Sequence, residues 1–80
     1  MNQDSIAQLV IKAAIVTTPE NKNTVELYLQ EVGLEILDKL SGEDKIFFFV
    51  KGNKEAIEQT RSNSLITDIQ YPKFFKIGNP

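Results

Sequence analysis

Acidic side chains are the groups in this chain that come in sets suited to chemistry. Glu31 and Glu35 stand four residues apart, and Glu43 and Asp44 are adjacent. Carboxylates so spaced can act as an acid and base pair or hold a hard cation. Each pair would need a further group to work with. The commonest general base and the best thiol nucleophile are missing, because the sequence contains 0 His and 0 Cys. The same absence removes the ordinary zinc ligand sets and any disulfide. Gly42 and Gly52 stand alone, so no glycine-rich phosphate loop is encoded, and the amides after Gly52 read as a plain helix start. The expectation is a protein with no catalytic residues, no metal and no cofactor.

The remaining residues with recognisable chemistry are aromatic. The octamer Lys45-Ile46-Phe47-Phe48-Phe49-Val50-Lys51-Gly52 resembles the RNP1 motif of RRM domains, with Lys45, Phe47, Phe49 and Val50 in register. The resemblance implies that Phe47 and Phe49 stack on the bases of single-stranded RNA. It stops at this octamer. Ile46 and Phe48 replace the small residues of the motif, Gly52 replaces its final aromatic, and the first strand supplies no matching ring. A net charge of -2 and a pI near 5.0 also weigh against a phosphate-binding surface. RNA binding is therefore the alternative reading.

The elements that must position these residues follow from patterning. Ile46 to Val50 is an unbroken run of aromatic and β-branched residues, which predicts a central strand buried on both faces. Leu9 to Thr18 is a second such run, interrupted by Lys12, and predicts the first strand. Thr18-Pro19-Glu20 starts a helix, with the threonine oxygen free to accept from an orphan amide and proline at the first helical position. Val25, Tyr28, Leu29 and Val32 then form one helical stripe, and Gly33 sits where a left-handed residue would end it.

Two folds diverge at Leu34 to Leu40. Leu34, Ile36, Asp38 and Leu40 alternate as in a strand, while Val32, Ile36 and Leu40 also continue a helical stripe. A helix running through Gly33 would cost about 1 kcal/mol for the glycine. The favoured reading is a strand, a turn at Ser41-Gly42-Glu43-Asp44, and a hairpin return through Lys45 to Lys51. Asn53 predicts the N-cap of a second helix with Ala56, Ile57 and Thr60 inward. Ser62-Asn63-Ser64 breaks it, and Leu65 to Tyr71 predicts the last strand, ended near Pro72. Residues 1–7 are polar enough to fray, with Asp4 or Ser5 available to cap a short turn, and 73–80 form an aromatic tail.

The order β-α-β-β-α-β is that of an α+β, ferredoxin-like split fold: a four-stranded antiparallel sheet with two helices on one face. The whole chain, 1–80, reads as a single domain. A chain of 80 residues buries only about 60–65% of its unfolded surface, so self-association is expected to help. Nothing in it resembles a signal peptide or spans a bilayer, and a cytoplasmic setting is expected.

In such a fold the second face of the sheet is uncovered. Alternation places Ala14, Leu37, Phe47 and Phe49 there, with Ile46, Phe48 and Val50 under the helices. The expected function is a small regulatory or adaptor module that binds a protein partner, or itself as a homodimer, through that face and through Phe74, Phe75 and Ile77 of the tail. The tail could equally fold back as a cover. The layout resembles ACT-type regulatory domains, which implies face-to-face dimers. It is also similar to the inhibitory pro-segments of subtilisin-like proteases, which implies a tail that enters a protease cleft.

Overall fold

The computed structural model of the chain describes residues 9–72. Its strands are Val10–Thr17 (β1), Glu35–Ser41 (β2), Ile46–Asn53 (β3) and Asp68–Gln70 (β4). Its α-helices are Lys22–Glu31 (α1) and Lys54–Gln59 (α2), with 3-10 turns at Pro19–Asn21 and Thr60–Ser62. All strand pairs are antiparallel, in the order β2-β3-β1-β4. This is the ferredoxin-like arrangement that the patterning predicts, with the two most apolar strands at its centre.

Pairing sorts the side chains into two faces. Ile15 lies between Phe48 and Ile69, and Ala13 lies opposite Val50. These residues pack with Val25 and Leu29 of α1 and Ile57 of α2 into one cluster, in which Phe48 is 0% exposed. The helices therefore cover the face that carries Ile46, Phe48 and Val50.

Gly33 decides the topology. Its φ of 89° is left-handed, which a side chain resists. Gly33 N donates to Gln30 O at 3.1 Å and Leu34 N to Leu29 O at 3.0 Å, the paired bonds of a Schellman motif. Leu34 and Leu29 are both in the core, so the chain turns out of α1 around a hydrophobic contact and enters β2. Leu34 to Leu40 is not helical.

Three details differ from the expectation. Thr18 makes no backbone cap: its Oγ1 accepts from Asn21 Nδ2 at 3.1 Å, and a 3-10 turn precedes α1. The last strand is shorter than Leu65 to Tyr71. Asn63 Oδ1 accepts from Leu65 N at 2.9 Å and Ile66 N donates to Asn63 O at 3.0 Å, so the segment folds into a turn before β4 can form. Thr17 Oγ1 holds that turn by donating to Leu65 O at 2.6 Å, while Leu65 and Ile66 pack on the core without being strand.

The third difference is in β2. Ile36 opposes Val50, but Asp38, not Leu37, opposes Phe49, so the register shifts by one residue at a β-bulge. Beyond it, Lys39 faces α1 and Leu40 lies opposite Phe47. The alternation of Leu34, Ile36, Asp38 and Leu40 is thereby broken: the first two are on the helix side and the last two on the other.

Asn53 caps α2 as its sequence predicts, with Oδ1 accepting from Glu55 N at 2.8 Å. Inward of it, Ile57 and Thr60 are buried, and Thr60 Oγ1 donates to Ile57 O at 2.6 Å. The expected cap at Asp4 or Ser5 and the fraying of residues 1–7 lie outside the described residues. Among the described residues no helix is long and apolar enough to cross a membrane.

Candidate interaction face

The face of the sheet away from the helices is built row by row from the register. Phe49 lies between Asp38 and Ala14, with Gln70 next along, and Phe47 lies between Leu40 and Val16, with Asp68 next along. Phe47 and Phe49 are two residues apart on one strand, so both rings project to the same side. Their centroids are 6.5 Å apart and their planes 14° from parallel, an offset stack. Leu37, pushed out by the bulge, joins Phe49 on this side.

Among the described residues the face is apolar and open. Phe49 is 36% exposed, Leu37 45% and Leu40 56%, while Ala14 and Val16 between the outer strands are buried. Ala14, being small, leaves a depression of about 330 Å³ walled by Leu37, Phe49, Gln70, Tyr71 and Pro72, with Lys12 at its rim. Lys12 and Lys51 are cross-strand partners in the next row, with Glu35 beyond Lys51.

Four of the residues that the sequence nominates, Ala14, Leu37, Phe47 and Phe49, are thus brought together. Phe74, Phe75 and Ile77 lie outside the described residues. Leu40, Val16, Tyr71 and Pro72 belong to the face or its rim and are not nominated. Leu40 arrives only because of the bulge, which has no signature in the residue types. Tyr71 and Pro72 were legible as the end of a strand but not as a wall.

The polar cluster nearest the face is at the end of β4. The Tyr71 hydroxyl donates to Glu58 Oε2, and Arg61 Nε donates to Glu58 Oε1 at 2.7 Å. The bond from Arg61, and then that from Tyr71, holds the Glu58 carboxyl below its usual value. Burial, and then the bond to Glu58, holds the Tyr71 hydroxyl above its usual value. The cluster ties the chain leaving β4 to α2.

The carboxylate pairs have a plainer setting. Glu31, Glu35, Glu43 and Asp44 are exposed, and among the described residues no three of His, Cys, Asp and Glu are grouped to hold a metal ion.

The chain matches no protein-family profile, and neither curated proteins nor solved structures show significant similarity to it.

Proposed function

We propose that the chain is a small non-enzymatic regulatory or adaptor module that works through protein contacts on the open sheet face. The observation that carries this reading is the contiguous apolar surface of Leu37, Leu40, Phe47 and Phe49 on the side opposite the helices. Soluble chains seldom keep such a patch without an occupant, because its hydration is unfavourable. The occupant is a protein partner or a second copy of the chain in a homodimer. A cytoplasmic setting is part of the proposal, supported by a sequence with 0 Cys.

Photo-crosslinking in cells tests it, with the reactive side chain placed at Leu40 and, separately, at Gln30 on the exposed side of α1. Adducts of defined mass from position 40 and none from position 30 are expected. Identical adducts from both positions, or none from position 40, would refute the reading. Adducts of twice the monomer mass would identify the homodimer.

A second reading has its own observation. Phe47 and Phe49 face outward beside Lys51 and Lys12, so rings and cations share one surface, as single-stranded nucleic acid requires. Binding of an oligonucleotide that weakens with salt and is lost in Phe47→Ala would support it. No binding at low salt ends it.

A further inference from the structure

Among the described residues the two edges of the sheet are β2 and β4. An edge strand ordinarily offers its outward N–H and C=O groups to any extended chain. The register shows which groups these are. Gly42 N donates to Lys45 O at 2.7 Å, and bonded and non-bonded pairs alternate along an antiparallel ladder. The pairs Leu40/Phe47 and Asp38/Phe49 therefore turn their backbone groups toward each other, and Lys39, opposite Phe48, and Ser41, opposite Ile46 at the strand's end, point their N–H groups outward. On the other side of the sheet, Thr67 N donates to Val16 O at 2.8 Å. Val16 thus turns its backbone toward β4 and Ile15 toward β3. Ile69, opposite Ile15, points its N–H away from the sheet.

At the middle of each edge the outward N–H, that of Lys39 in β2 and that of Ile69 in β4, is already occupied, and by the same means. Lys39 N donates to Asp38 Oδ1 at 2.8 Å, and Ile69 N donates to Asp68 Oδ1 at 2.9 Å. Asp68 also accepts from Gln70 Nε2 at 3.2 Å through its other oxygen. In each strand the carboxylate that takes the N–H is that of the preceding residue.

We infer that Asp38 and Asp68 close the two edges of the sheet to strand addition by a second copy of this chain or by any extended peptide. An incoming strand that pairs along either edge, past its end, needs the Lys39 or Ile69 N–H for its own carbonyl oxygen. It meets a carboxylate there instead, and displacing that carboxylate strips it of its hydrogen bond. The bulge in β2 and the three-residue length of β4 act in the same direction. Association is thereby confined to side-chain contacts. The inference stands whether or not the open face has a partner, because it concerns the edges alone.

The test uses the full chain and four variants: Asp38→Ala, Asp68→Ala, the double Asp38→Ala/Asp68→Ala, and Asp38→Asn/Asp68→Asn. Sedimentation velocity over a concentration series gives the size, and the infrared amide I band reports intermolecular strands. Each single alanine variant is expected to form dimers, since one opened edge pairs with its copy and is used up. The double alanine variant is expected to form longer assemblies, with both edges open. The asparagine variant is expected to behave as the parent, because its amide oxygen accepts the same bond without the charge. Alanine variants no more associated than the parent would overturn the inference. So would an asparagine variant as associated as the double alanine one, which would make charge the cause. If the double alanine variant does not fold, the two single ones decide.

Discussion

Phe48 and Phe49 are neighbours in the chain and opposite in consequence. Phe48 is 0% exposed, packed between β1 and the helices, so truncation to alanine removes its transfer energy and leaves a cavity. That costs about 3–5 kcal/mol. A chain of this length holds roughly 4–12 kcal/mol in total, so Phe48→Ala consumes much or all of it. Phe49 is 36% exposed and borders open solvent, so its loss leaves no enclosed void. Losing its buried part and its stacking on Phe47 costs about 1–2 kcal/mol. At about 4–8 °C per kcal/mol for a domain of this size, Phe49→Ala lowers Tm by about 4–16 °C and Phe48→Ala by about 12–40 °C. Urea and thermal unfolding followed by circular dichroism measure both. Equal losses, or a larger one for Phe49, would show that the Phe49 face is enclosed and would refute the assignment of the two faces.

Other predictions follow from single residues. Gly33→Ala forces a side chain into φ near 89° with open space around it, so the loss is backbone strain of about 1–2 kcal/mol, read by urea unfolding. A methyl on Gly52 would overlap the Leu34 side chain, and Gly52→Ala is expected to cost about 1–3 kcal/mol, partly restored when Leu34 is shortened to Val. The cluster at Glu58 gives stability a pH dependence at both ends, through Arg61 and then Tyr71 on the carboxylate and through burial and then the Glu58 bond on the phenol. Glu58 is held low, so its contribution is present above the usual carboxylate value and is lost as pH falls through the depressed one. Tyr71 is held high, so its contribution is complete below the usual phenol value and is lost as pH rises through the raised one. In Tyr71→Phe the part of the alkaline decline of Tm that Tyr71 supplies should be lost and the acid decline should shrink without vanishing, because Arg61 still holds Glu58; an acid limb parallel to the parent's would count against the bond.

The topology was legible because single residues encode it. Gly33 can adopt a left-handed φ that other residues resist, and the apolar run at Ile46 to Val50 fits nowhere but the centre of a sheet. Asn53 announces α2 by its side-chain oxygen. What stayed hidden depends on competition between hydrogen bonds. Residues 65–71 have strand-like composition, yet Asn63 takes the Leu65 amide first and Thr17, far away in the chain, anchors the Leu65 carbonyl. The open face was half legible: Phe47 and Phe49 follow from simple alternation, while Leu40 reaches it through a register shift. Asp38 and Asp68 look like ordinary surface acids until the ladder shows which amides they meet.

The bulge at Leu37 has a consequence for how the face can vary. Ile36 and Asp38 already oppose Val50 and Phe49 in sequence, so Leu37 is a supernumerary residue in an otherwise regular ladder. Deleting that one codon would let the ladder close without moving Asp38, Lys39 or Leu40 to another side. The Lys39–Glu26 ion pair, at 3.1 Å, would keep its place over α1. The depression beside Phe49 would lose a wall while the core beneath stayed intact. The open face and the core are thus separable at a single position, where a change in the one need not destabilise the other.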